Sequence, residues 1–233
     1  MTHYLLLLSI FLVGIVFYLA GRKVTLKLWK KMVVALAGSA FGLFGLFVMG
    51  YIENGRFGPI SFFGAHFIGP LGILISCRTL KISKKECYKM LDISAPALCA
   101  ALVVLKLNCY RVKCCGGIVL STHNDVVCYF PSQIVESIFA FVLMTLFMFL
   151  LMKDKAQGSI YLLYMIVYGI GRFVLNIFRE TTIWILDMPA GNFWSIISVI
   201  IGAGYLYIRY LLTNAQEEKK RTRANRTGHK VRR

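Results

Sequence analysis

The stretch Tyr168-Gly169-Ile170-Gly171-Arg172-Phe173-Val174-Leu175-Asn176-Ile177-Phe178-Arg179 closes a long apolar run and carries two arginines into or beside what reads as hydrocarbon. On a helix, at about 100° per residue, Tyr168, Arg172, Asn176 and Arg179 fall within roughly 80° of one another. One face thus holds a phenol, an amide and two permanent cations, while Phe173, Val174, Ile177 and Phe178 cover much of the rest. Arginine in a membrane span is costly, so it faces a protein interior or a wet cavity and marks function by default. The stripe reads as one wall of an anion site inside a helix bundle.

The rest of the chain supplies that bundle. Of 233 residues, 58% are hydrophobic, and the formal charge is +17. A soluble domain of this length does not need so much apolar residue, whereas a polytopic membrane protein does. A large positive charge can also signal nucleic acid, but here it sits in loops between apolar runs and at the carboxy-terminal end, so no nucleic-acid partner is expected. A span needs about 20 mostly apolar residues. Seven qualify, at 4–20, 32–52, 57–77, 93–109, 132–152, 159–178 and 192–212, the fourth being the shortest. The expected fold is therefore all-α. Residues 1–213 form a seven-helix transmembrane unit, and 214–233 a basic, disordered cytoplasmic tail that touches anionic lipid headgroups. The first run has no basic segment in front and basic residues behind, which fits a retained span better than a signal peptide.

Loop charge sets the orientation. Twenty Lys/Arg residues fall between spans one and two, three and four, five and six, and in the tail, against five on the opposite side. Positive residues stay inside, so the amino terminus lies outside and the carboxy terminus in the cytoplasm. The unusual polar residues then gather on the outer side: the entry to span three, the segment from Lys106 to Pro131, the start of span five, and the Arg179 end of span six. A site there opens to the outer leaflet.

Three constellations stand out. Glu136 lies five residues beyond Pro131, about 7–8 Å deep, a depth that Arg172 can share. It either ties spans five and six as a structural ion pair, or positions one arginine while Arg179 holds an anion. The run Gly58-Pro59-Ile60-Ser61-Phe62-Phe63-Gly64-Ala65-His66 opens span three. Ala65, Gly69 and Gly72 form a strip of small residues that permits close helix approach. His66 beside it is either a base or a histidine hydrogen-bonded between helices. Cys109, Cys114, Cys115 and Cys128, with His123 between, have no usual zinc spacing, so no metal is expected; an outer disulfide or loosely packed thiols fit better.

Four segments, in order, resemble the prolipoprotein diacylglyceryl transferase family. Tyr168 through Arg179 resembles its Y-x-x-x-R-F-x-x-E-x-x-R. Pro131-Ser132-Gln133-Ile134-Val135-Glu136 resembles H-P-S-Q-x-x-E, and Ser61-Phe62-Phe63-Gly64 resembles S-F-H-G. Lys106-Leu107-Asn108-Cys109, running on to Cys114-Cys115-Gly116-Gly117, is similar to G-R-x-G-C-F-x-x-G-C-C-x-G. The chain departs at four places: Phe63 and Phe130 stand for histidine, Lys106 for arginine and Asn176 for glutamate.

The resemblance implies a seven-spanning enzyme of the bacterial cytoplasmic (inner) membrane, without a cofactor. A cysteine thiol of a prolipoprotein, or of another cysteine-containing membrane-inserted peptide, would attack the glyceryl carbon of phosphatidylglycerol, and glycerol phosphate would leave. Arg172, Arg179 and the weaker point charge of Lys106 would hold the phosphate. His66 or Glu136 would take the thiol proton, and Tyr168, Asn176, Gln133, Ser132, Phe63 and Gly64 would line the substrate. Two other readings stay open: a non-catalytic relative that binds phospholipid or signal-peptide-like segments, and, ranked last, a small-solute transporter.

Overall fold

A computed structural model describes residues 3–22, 24–114, 116–123, 126–153, 158–180 and 183–231. Within them the chain is helical apart from two short hairpins. The helices are α1 (His3–Gly21), α2 (Leu28–Asn54), α3 (Phe62–Thr79), α4 (Lys84–Arg111), α5 (Ser132–Met152), α6 (Ile160–Ile177) and α7 (Ala190–Val231). Strands β1 (Val119–His123) and β2 (Val126–Tyr129) pair antiparallel between α4 and α5. Strands β3 (Trp184–Ile185) and β4 (Met188–Pro189) do the same before α7. Among the described residues, six helices, α2 to α6 and α7 over Ala190–Ala215, are long and apolar enough to cross a membrane.

Many large apolar side chains point outward, among them Leu36, Phe44 and Phe47 of α2, Phe141 of α5 and Ile200 of α7. That pattern suits helices whose outer surface meets lipid tails. Inside, one core gathers Phe63, Cys99, Leu102, Leu143, Phe147, Tyr161, Tyr164 and Tyr168. A second gathers Val34, Ile73, Cys77, Met90 and Ile93 with Ala20 and Val24.

The tight hairpin and the small-residue strip are both present. A Cβ built on Gly64 would lie 1.8 Å from the Gly45 carbonyl oxygen, and one on Gly72 2.5 Å from that of Ala37. Gly42 rests against Ala65 and Gly69. Backbone meets backbone along the whole α2–α3 seam, which only residues without bulky side chains allow. Gly55, at φ +66°, ends α2 in the left-handed conformation that glycine adopts without strain.

Three boundaries differ from the sequence reading. Helix α3 begins at Phe62 rather than 57, because Gly58, at φ +123°, and Pro59 interrupt the helical path. The intervening segment lies along α2, with the Ser61 amide donating to the Leu46 carbonyl at 3.0 Å. Helix α4, expected to be the shortest, spans 28 residues. Its first half, from Lys84 to Asp92, is rich in charge. Ser83 nevertheless caps it through the Glu86 amide at 3.3 Å, and Asp92 is buried because its carboxylate caps α6, accepting from the amides of Gly158 and Tyr161. Helix α7 runs on to Val231, through the basic segment where a disordered tail was expected.

Candidate functional site at one end of the bundle

The site is built where α2, α4 and α6 end and α3, α5 and α7 begin. Lys106 lies five residues before the end of α4, Glu136 four after the start of α5, and Arg172 five before the end of α6. At 1.5 Å per residue all three sit about 6–8 Å inside. There Glu136 accepts from both cations: Oε1 from Arg172 Nη1 and Oε2 from Lys106 Nζ. Glu136 is 4% exposed, and Lys106 and Arg172 are each 7% exposed. One carboxylate thus joins three helices. Lys106, inside the expected span four though counted with the outer-side charges, is a buried helical residue.

Arg179 departs from the stripe in one respect. Helix α6 stops at Ile177, and Arg179 follows its cap in a β-bridge with Gly117. Amides donate both ways across this seam, Ile118 to the Phe178 carbonyl at 3.1 Å and Glu180 to the Gly116 carbonyl at 3.4 Å. The Arg179 charge still acts on Glu136 and Lys106. Tyr168, Arg172 and Asn176 are all buried on one face of α6. Asn176 Nδ2 donates to Asn192 Oδ1 at 2.9 Å, and Gly191 lies flat beneath its amide.

Other sequence-nominated residues hold the frame around this cluster. Gln133 Nε2 donates to the Cys114 carbonyl at 2.7 Å, tying α5 to the segment after α4. Ser132 is buried, with its amide on the Phe130 carbonyl at 2.8 Å. Phe130 packs against Phe178, ring centroids 5.1 Å apart. Gly64 serves the α2–α3 contact. Phe63 is buried against Phe67 and Tyr168.

His66 is fully buried in an aromatic cage of Phe63, Phe67, Tyr161, Tyr164 and Tyr168. Its Nε2 meets Ser198 Oγ at 2.8 Å, its Nδ1 meets Tyr164 Oη at 3.2 Å, and its carbonyl accepts from Tyr161 Oη. This is the geometry of a histidine that joins α3, α6 and α7. Of the cysteines between Cys109 and Cys128, Cys128 is exposed on β2, while Cys115 and the His123 side chain lie outside what the structure describes. Among the described residues no group of three metal-ligating side chains forms.

Sequence reasoning missed three neighbours. Glu53 of α2 accepts from Ser61 Oγ at 2.6 Å, acts across space on Arg172 and Arg179, and faces Trp194 of α7. Asn192 holds Asn176. A lone acid beside the Gly55 turn was the one visible signal for Glu53. Nothing in the local sequence marks Asn192 or Trp194. Among the described residues, Asn108 Oδ1, Asn176 Oδ1, Arg179 Nε and Trp194 Nε1 are buried without a geometrically closed hydrogen bond.

The fold and the site together define a multi-pass helical membrane protein with a buried cationic cluster at one end of its bundle. The family model for prolipoprotein diacylglyceryl transferase matches residues 49–208, and the chain belongs to that family. A phosphatidylglycerol–prolipoprotein diacylglyceryl transferase of Clostridium tetani (strain Massachusetts / E88) is 27% identical over 152 residues, 60% of this chain and 60% of the relative. One of Clostridium botulinum (strain Hall) is 23% identical over 170 residues, 67% of this chain and 66% of the relative. Transferase 2 of Clostridium perfringens (strain 13) is 27% identical over 156 residues, 62% and 60% respectively. The chain spans 60% of the Clostridium tetani protein, less than two thirds of its length.

Proposed function

We propose that the chain is an integral membrane transferase that moves diacylglyceryl from phosphatidylglycerol to a cysteine thiol of a prolipoprotein-like substrate. The observation that carries this is the buried pairing of Glu136 with Lys106 and Arg172, beside Arg179, inside the region the family model matches. In the proposed orientation the protein crosses the bacterial inner membrane seven times, α1 included, with its amino terminus outside. The Arg179 end of α6 then opens to the outer leaflet, and the basic end of α7 lies against anionic headgroups on the cytoplasmic face.

In the reaction a sulfur–carbon bond forms at the diacylglyceryl carbon that carries the phosphate ester. The carbon–oxygen bond to that phosphate breaks, and glycerol phosphate leaves with the electron pair. Negative charge grows on the phosphate oxygens, where fixed cations in a site shielded from water are most effective. Arg172 and Arg179 supply it, with Lys106 as a point charge. The unpaired Arg179 Nε, Asn176 Oδ1 and Asn108 Oδ1 are donors and acceptors suited to the headgroup. The thiol must also lose its proton, which a net positive field favours. Of the two bases the sequence nominates, His66 has both ring nitrogens engaged, and Glu136 is shared by two cations.

The test is mass spectrometry of a lipobox peptide after incubation with the protein in phosphatidylglycerol liposomes. A diacylglyceryl thioether supports the proposal. No product, where an ordinary family member forms it, would sink it. A second reading has its own observation: Phe63, standing for the family's histidine, is sealed into the aromatic core. On that reading the protein binds phosphatidylglycerol without turnover, and the same liposomes separate the two outcomes.

A further inference from the structure

Asn176 and Asn192 meet across the join between α6 and α7, at the end of the bundle that holds the Glu136 cluster. Asn176 Nδ2 donates to Asn192 Oδ1 at 2.9 Å, and Asn176 is only 4% exposed. Its Oδ1 is buried with no hydrogen-bond partner among the described residues. A buried carbonyl oxygen is costly to leave unpaired, so it calls for a partner that the chain does not supply.

The surroundings hold that atom in place. A Cβ built on Gly191 would lie 3.0 Å from Asn176 Oδ1 and 3.1 Å from its Cγ and Nδ2, so the main chain at the start of α7 lies against the amide. The Arg179 amide donates to the Asn176 carbonyl at 3.3 Å, where α6 ends. Asn192, in the first turn of α7, is half-buried, and its own amide carries two N–H donors beside the bond. The pair thus has one sealed side and one that reaches the surface.

The chemistry of the pair selects its ligand. Asn176 lies one turn beyond Arg172 on the same face of α6, about 6 Å at 1.5 Å per residue. A group bonded there stands beside a phosphate held by the arginines without being that phosphate. A phosphate oxygen only accepts, and would leave Asn176 Oδ1 unsatisfied. An ammonium only donates, and would stand one helical turn from the Arg172 cation. A hydroxyl donates to Oδ1 and accepts from the Asn192 amide. Turning both amides over exchanges the free acceptor for a free donor, which a hydroxyl also satisfies. We infer that Asn176 and Asn192 form a hydroxyl-recognition subsite that reads the polyol part of the lipid headgroup and sets headgroup specificity. Position 176 is one where this chain has an amide and the family pattern a carboxylate, so the subsite is this chain's own. The inference rests on the phosphatidylglycerol reading above.

The experiment titrates the full chain, in phosphatidylcholine nanodiscs, with phosphatidylglycerol and with phosphatidylpropanol, a phosphodiester of the same charge whose headgroup has no hydroxyl. Wild type should bind phosphatidylglycerol about tenfold more tightly, the worth of one or two hydrogen bonds. Asn192→Ala and Asn176→Leu should each bring that ratio below about threefold, by weakening phosphatidylglycerol while leaving phosphatidylpropanol in place. A purely structural role would move both affinities together and keep the ratio. An unchanged ratio in both variants therefore overturns the inference. So does equal affinity of wild type for the two lipids; glycerol binding alongside it would assign the pair to a soluble polyol. If Asn176→Leu does not fold, Asn192→Ala, at the half-buried partner, decides alone. Thioether formation on a lipobox peptide, read by mass spectrometry in the same preparations, tests the transfer separately. A headgroup preference without product leaves the subsite standing and sinks the transfer, whereas product without a preference does the reverse.

Discussion

His66 and Ser198 stand 132 positions apart in the chain and meet at 2.8 Å, Nε2 against Oγ, in the fully buried centre of the bundle. With Tyr164 on the other ring nitrogen, the histidine bolts α3 to α6 and α7. His66→Ala should cost about 2–4 kcal/mol, from the lost ring volume and the stranded hydroxyls. Thermal unfolding in lipid nanodiscs measures this. Activity per folded molecule should fall far less than tenfold, and full lipidation activity would remove His66 as the thiol base.

Glu136 neutralises two buried cations at once. Glu136→Gln leaves both Lys106 and Arg172 uncompensated, and Arg172→Ala strips the carboxylate of its α6 partner. Each should destabilise by about 3–5 kcal/mol, the usual cost of breaking a buried pair from one side. Thioether formation should fall at least a hundredfold for Arg172→Ala, on the scale of losing a charge-stabilising group in a closed site. Calorimetry and peptide mass spectrometry read the two effects separately.

Gly64 and Gly45 leave no room for a side chain between α2 and α3. Gly64→Ala should therefore disrupt the hairpin, at a cost beyond the about 1–3 kcal/mol typical of overpacking, since backbone and not a flexible tip is struck. Gly204→Ala is the control, because nothing lies within 4 Å of a Cβ there. Yield of monodisperse protein in detergent and its unfolding temperature should separate the two variants.

Cys128 lies exposed on β2, while Cys77, Cys87 and Cys99 are buried. In the proposed orientation a membrane-impermeant maleimide added to intact spheroplasts labels Cys128. Site-resolved mass spectrometry after proteolysis reads the result. Protection of Cys128 in intact cells, with labelling only after lysis, would invert the topology.

The sequence spoke most clearly where one physical signal dominated. Residues 132–152 read as span five and are the limits of α5, because Pro131 marks its start and Glu136 is the one charged residue within it. The shared depth of Glu136 and Arg172 followed from rise per residue alone. Helix α4 was under-read because hydropathy penalises Asp92 and the lysines before it, although capping and burial account for that charge in three dimensions. Gly64 carries a motif's signature and performs a packing task, a distinction that needs the neighbouring helix to be seen. Glu53, Asn192 and Trp194 come from segments whose relation to α6 is set by tertiary contact, which no local pattern encodes.

The pairing of Gly117 with Arg179 has a consequence for how this end of the bundle can change over time. The main chain at Arg179 is located by peptide groups of the β1-flanking segment, through the Ile118 and Glu180 amides, and not by its own guanidinium. Exchanging that side chain should leave the local path of the chain in place, whereas exchanging Arg172 or Lys106 disturbs the joint between helices. If the cluster holds a lipid headgroup as proposed, position 179 is thus a cationic locus at which selection can retune headgroup preference without renegotiating the architecture.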